Sequence, residues 1–211
     1  MTKTRKDTRR TRRIDRARLL DVLLKGTAVT SYTARDLASK AHWQWDRERY
    51  VEAFVLFDAA AARADEDHDA VRGTASRNRA AVTLAQSGAN PTGAARRLRA
   101  VLEHYREHPD DLEDRHWVEW AWTWLLELLA ADDPDVFTRR YRAAVADCAA
   151  LGCSEFPHIL PHIERLAELA RRAGARSICA QLVDKRRARK RVSKKLRARL
   201  AVLDAWSRPR T

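Results

Sequence analysis

The amino-acid sequence predicts an all-α fold: a short α-solenoid or stack of helical hairpins, about nine helices in all, with a basic N-terminal arm and a basic C-terminal helix. Three observations carry this expectation. Bulky and small apolar residues recur at three- and four-residue steps, and no segment alternates as a strand would. Only six Gly and six Pro occur in 211 residues, which favours long helices over many turns. The breakers Gly26, Gly88, Pro109 and Gly152 fall between the periodic runs, and Pro91 and Pro134 at the start of one.

Each element follows in order. Ile14, Leu19, Leu20, Val22, Leu23 and Leu24 give a first helix, closed by Gly26. Thr33 with Asp36 three residues on resembles a capping box and opens a second helix through Trp45. Tyr50, Ala53, Phe54, Phe57 and Ala60 mark a third, to about residue 64. An Ala-rich helix from about 70 to 85 stops at Ser87-Gly88-Ala89-Asn90-Pro91, and Pro91 suits the first turn of the next, which runs to about His108. Residues 113–130 are apolar on nearly every face, with Trp117, Trp120, Trp122 and Trp124 among leucines, as expected of a central helix. Asp132-Asp133-Pro134 starts a helix that ends at Leu151-Gly152; one from about Leu160 to Ala173 and a last from about Ala175 to Trp206 complete the chain. The expected core is Tyr50, Phe57, Ala81, Leu84, Leu98, Trp120, Trp124, Phe137 and Tyr141, and truncating Trp124 to Ala should cost about 3–5 kcal/mol.

This length suits one domain or one short solenoid, and two independent domains would be cramped. Residues 1–13 read as a disordered basic arm, 14–183 as the helical domain, and 184–211 as a basic helix and tail. The hydrophobic share, 45%, is ordinary, while the charged share, 34%, is high. The net charge of +13 is concentrated at the ends: +7 over residues 1–18 and +10 over 184–211, leaving the body at −4. Polyanion affinity is therefore expected at the ends. Cys148, Cys153 and Cys179 are an odd count without a Cys-x-x-Cys pair, and they read as small buried hydrophobes in a reducing compartment. The start is too charged for a secretory signal and no run reaches membrane-spanning length, so a cytoplasmic location is expected.

Three helices share one spacing. Tyr50, Ala53, Phe57 and Ala60 step by three, four and three, and so do Pro91, Ala94, Leu98, Val101 and Pro134, Phe137, Tyr141, Ala144. A small residue in such a stripe admits a neighbouring helix while a large one fills the gap. Tyr50-Val51-Glu52-Ala53 with Phe57 and Ala60 resembles the second helix of a tetratricopeptide repeat. Ala81, Leu84 and Gly88 resemble the first helix and turn of the next unit, and His108-Pro109-Asp110-Asp111 its Pro-containing exit. The likeness covers about residues 37–150, with repeats of 41 and 43 residues against the family's period of about 34. It implies a right-handed stack of hairpins whose concave surface takes a protein or peptide partner, without a catalytic centre.

Other motifs point to little chemistry. His104-Tyr105-Arg106-Glu107-His108 matches the H-x-x-E-H of inverted zinc peptidases, but it sits in a charged last turn beside Pro109, where His complements the helix dipole; no catalytic zinc is expected. His158 and His162 are one turn apart with no third ligand nearby, and read as surface residues or residues at a helix start. The six glycines form no phosphate loop and no nucleophile elbow is present, so neither enzyme activity, a cofactor nor a metal is expected. The clustered Trp read as core rather than a base-stacking platform, with Trp43 and Trp45 partly exposed.

Ten of the fifteen residues from Lys185 to Arg199 are Lys or Arg. Val192, Leu196, Leu200 and Leu203 give a helix there one narrow apolar stripe, and phosphates would order it. The leading expectation is a non-enzymatic adaptor. Its helical body binds a protein partner, and its ends bind nucleic acid or another polyanion through Arg9, Arg10, Arg12, Arg13, Lys185, Arg186, Arg187, Arg189, Lys190, Arg191, Lys194, Lys195, Arg197 and Arg199. Two alternatives stand beside it. One is a DNA-binding regulator using a helix-turn-helix-like segment at 12–45, including Tyr32-Thr33-Ala34-Arg35-Asp36-Leu37-Ala38. The other is a membrane-surface protein using the basic C-terminal helix with Trp206 as anchor.

Overall fold

A computed structural model describes residues 14–108, 116–129, 133–153, 155–189 and 193–208. Among these residues the chain forms ten α-helices, one short 3-10 turn and no strand. Its contacts group into two compact units, Met1–Ala94 and Ala95–Thr211.

In the first unit, α1 (Arg16–Leu23), α2 (Ala34–Trp45), α3 (Tyr50–Glu66) and α4 (Ala70–Ser87) are organised around α3, which packs on all three others. That position explains why Ala53, Phe54, Val55, Leu56 and Phe57 are buried in succession: neighbours surround the helix rather than covering one stripe. Phe57 meets the edges of His42 and Trp45, with ring centroids 5.0 and 6.1 Å away. Burial in that cluster, with Arg79 adding to it, lowers the His42 pKa below the ordinary imidazole value. α2 begins with the expected capping box: the Thr33 hydroxyl accepts from Asp36 N–H at 3.2 Å, and Asp36 accepts in return from Thr33 N–H at 3.1 Å. α1 is amphipathic but buries none of its own residues; Arg16 anchors it to Asp58 at 2.6 Å. Gly88, with φ +63°, closes α4 in the left-handed region as a helix-ending glycine should.

α5 (Pro91–Glu107) opens on an Asn90 side chain that accepts from Gly93 N–H at 2.9 Å. In the second unit follow α6 (His116–Leu129), α7 (Pro134–Ala150), α8 (Leu160–Arg172), α9 (Arg176–Ala188) and α10 (Lys194–Ser207). α6 packs on α7 and α8; α8, α9 and α10 form a mutually packed trio cored by Ile163, Leu166, Leu182, Val183, Leu200 and Leu203.

The shared stripe has a common structural basis. α3, α5 and α7 are each 17 residues long, and Tyr50, Pro91 and Pro134 are their first residues. The three stripe positions that follow are buried in every case: Ala53, Phe57, Ala60; Ala94, Leu98, Val101; Phe137, Tyr141, Ala144. Of the expected core, Tyr50 and Trp120 are only half-buried, Tyr50 because a first-turn residue lies at the edge of the packed face; the other seven are buried. One expectation is corrected. The last helix does not run unbroken from Ala175 to Trp206: α9 stops at Ala188, and a new start at Ser193, whose hydroxyl accepts from Leu196 N–H at 3.2 Å, begins α10. Helical periodicity continues across this break, so a reading from spacing alone passes over it.

Candidate polyanion-binding surface

The basic run from Lys185 to Arg199 lies on the end of α9 and the start of α10, and the two halves have different surroundings. From Lys185 to Arg189, at the end of α9, every cation has an acid. Lys185 and Arg189 share Glu155, at 2.9 and 2.6 Å; Arg187 meets Asp204 of α10 at 2.9 Å. Arg186 is only 4% exposed, and its Nε donates to Glu164 of α8 at 2.8 Å. The Lys185 hydrogen bond holds the Glu155 carboxyl below the usual carboxylate range, and the nearby charges of Arg189 and His158 reinforce it.

On α10, Lys194, Lys195, Arg197 and Arg199 are exposed and form no ion pair among the described residues. Lys194 and Lys195 occupy the first turn, with no acid in it. Cations at that end oppose the helix dipole, whose positive pole and unsatisfied N–H groups favour an anion. The helix itself is held independently: Leu200 and Leu203 are buried against its neighbours, and Leu196 is half-buried. The expectation that phosphates would order this helix therefore changes, because apolar packing on α8 and α9 already holds it.

Beside α10 lies an open groove of about 600 Å³ lined by Glu168, Arg171, Lys195, Ala198, Arg199, Val202 and Leu203. Its lining combines the 67% exposed Val202 with three cations and one acid. Arg171 bonds Glu168 at 2.5 Å; that bond first, then the charges of Arg171, Arg199 and Arg172, keep the Glu168 pKa low, so this carboxylate stays ionised near neutral pH. Of the remaining expected contacts, Arg9, Arg10, Arg12, Arg13, Lys190 and Arg191 lie outside the described residues, as does Val192.

The position of α8 depends on a residue that sequence reasoning missed. Glu119, 5% exposed on the Trp-rich α6, accepts from the N–H groups of His158 and Ile159 at 3.0 and 2.8 Å and lies 3.0 Å from His162 Nδ1. It thereby satisfies donors at the start of α8, and Trp120 stacks edge-on against the His162 ring at 4.4 Å. A signal existed: an acid in a helix apolar on nearly every face must have buried donors to meet. Cys153 is likewise half-buried, whereas Cys148 and Cys179 are the buried residues expected of all three.

Other flagged residues are dispersed. His104 and His108 stack with centroids 4.7 Å apart, and His108 Nδ1 lies 3.0 Å from the His104 carbonyl. Trp117 and Trp124 are buried while Trp120 and Trp122 are half-buried; Trp122 donates to Asp147 at 2.7 Å. Trp43 is 50% exposed with the Arg47 guanidinium 3.5 Å above its ring, and Trp45 is half-buried. In the segment 12–45, α1 and α2 are separated by ten residues with a 3-10 turn, and each packs on α3. Trp206 is half-buried under Arg176. Among the described residues no helix is long and apolar enough to cross a membrane, and no group of three or more His, Cys, Asp or Glu converges as a metal site would. No protein-family model, curated protein or solved structure matches the chain, so the surface is read from its own charges and geometry.

Proposed function

We propose that this protein is a non-enzymatic adaptor whose helical body engages a protein partner and whose basic ends bind nucleic acid phosphates with little sequence preference. The supporting observation is α10: four exposed cations that form no ion pair among the described residues, two of them in a first turn where the helix dipole already favours an anion. Because α10 is packed before any ligand arrives, binding costs no helix formation. The body's role as a platform rests on the recurring stripes and their resemblance to helical-repeat sequences.

Binding by Lys194, Lys195, Arg197 and Arg199 releases counterions. Four contacts on duplex DNA give a slope of log affinity against log salt of about −3.6, and an engaged N-terminal arm steepens it. The test is a salt titration of the full chain against a duplex of arbitrary sequence, repeated with all four residues changed to Gln. A slope unchanged by those four substitutions sinks the reading. A chain that ignores nucleic acid at low salt but sediments with anionic vesicles transfers the surface to membranes.

A further inference from the structure

The strongest feature outside that surface lies where α7 ends. Gly152 has φ +72° and donates to Ala149 O at 3.0 Å, and Cys153 N–H reaches back to Cys148 O at 2.8 Å. These are the paired hydrogen bonds of a glycine helix cap, a geometry that brings the side chain three residues before the cap against the side chain just past the glycine. Here both are cysteines, and the Cys153 side chain is near enough to raise the Cys148 pKa. A helix end usually sets two apolar side chains in that contact.

The two sulfurs differ in access. Cys148 is 1% exposed. Cys153 is half-buried and lines an open cavity of about 440 Å³ together with Tyr141, Phe156, Leu182 and the ion pair of Lys185 with Glu155. The cap bond holds the two backbones at hydrogen-bonding separation, a range from which a disulfide closes without large backbone movement. Cys179 is set apart: it is fully buried on α9 with its thiol 4.0 Å from Leu203 O, and burial pushes its pKa up to about 11.

We propose that Cys148 and Cys153 form a dithiol–disulfide site that reacts with hydroperoxides. Cys153, as thiolate, attacks the terminal peroxide oxygen; the S–O bond forms, the O–O bond breaks, and the alkoxide or hydroxide leaves with a proton, giving a sulfenic acid. The Cys148 sulfur then attacks Cys153 Sγ; the S–S bond forms, the S–O bond breaks, and water leaves. Two thiols are oxidised and one peroxide is reduced, and an external thiol reverses the change. The Cys153 side chain first, then burial, raise the Cys148 pKa, and Cys153 is the sulfur that lines the open cavity; Cys153 is therefore the attacking thiol and the buried Cys148 the resolving one. This site stands apart from the polyanion reading.

The test uses the reduced full-length chain, hydrogen peroxide as probe, and alkylation after unfolding. The tryptic peptide 143–165 carries both cysteines. It should lose two hydrogens and take no alkylating agent, while Cys179 alkylates normally; dithiothreitol should restore both thiols. Cys148→Ala should instead leave a sulfenic acid on Cys153 that a dione reagent traps. Full alkylation of peptide 143–165 after peroxide, or a disulfide that includes Cys179 or joins two chains, overturns the proposal. The mapping on the unsubstituted chain decides the matter even where Cys148→Ala fails to fold.

Discussion

α9 and α10 carry the same basic chemistry and are placed in opposite electrostatic situations. α9 lies against α8 and α10, so its cations reach Glu164 on one neighbour and Asp204 on the other, with Glu155 serving Lys185 and Arg189. Lys185, Arg186 and Arg187 also sit in its last turn, where the dipole favours cations. α10 differs in each respect: Lys194, Lys195, Arg197 and Arg199 lie in its first half, face solvent and form no ion pair among the described residues, Glu168 being close enough only to feel the charge of Arg199. Density of Lys and Arg along a chain therefore measures available charge, and the acids that the fold brings nearby decide how much of it remains for a partner.

The largest expected effect tests α9. Arg186→Ala leaves Glu164 without its buried partner and should cost about 2–4 kcal/mol in urea unfolding, somewhat below the range for fully buried pairs because Glu164 remains partly exposed. Arg197→Ala on α10 should change stability by less than about 0.5 kcal/mol. Similar losses at both positions would break the contrast.

Next in size is binding. Changing Lys194, Lys195, Arg197 and Arg199 to Gln should remove up to about 3.6 from the salt slope, whereas changing Lys185, Arg187 and Arg189 should remove much less, since their charges are already matched. A larger loss from the α9 set would reverse the assignment.

A smaller effect sharpens the comparison by converting one helix toward the other. Glu155→Gln releases Lys185 and Arg189, and should steepen the slope by up to about 1.8. Weakened binding in that variant would mean that Glu155 organises the surface rather than neutralising it.

The smallest effect is on pH. Lys185 depresses the Glu155 pKa in the folded chain, so its contribution to stability is present above the ordinary carboxylate value of 4.5 and is lost as pH falls through the lower folded value. The stability gap between the unsubstituted chain and Glu155→Gln should close below about pH 4.5, as followed by acid-dependent urea midpoints. A gap that widens there contradicts the sign of the pairing.

Much of the fold was legible because local physics reports it. Thr33 with Asp36, Asn90 before Pro91, Asp133 before Pro134 and Gly88 mark helix ends through bonds made within a few residues. The stripes from Ala53, Ala94 and Phe137 onward record burial because one face of a helix repeats every three to four residues. The Ser193 break was missed because Ser within a basic run reads equally as a polar surface residue or a cap.

The sequence by itself determined the helices, most of their ends, the buried stripes and the concentration of positive charge at the termini, since each depends on neighbours close along the chain. Tertiary structure alone decided which charges remain without acids, that Glu119 would hold the start of α8, and that Cys153 would stand open to a cavity beside a buried Cys148. These outcomes join residues 17 to 43 positions apart, as in Arg187 with Asp204 and Glu119 with His162, or depend on exposure that only packing fixes. Coulomb interactions and desolvation act through distance in space and access to water, and neither quantity is written in the order of the residues.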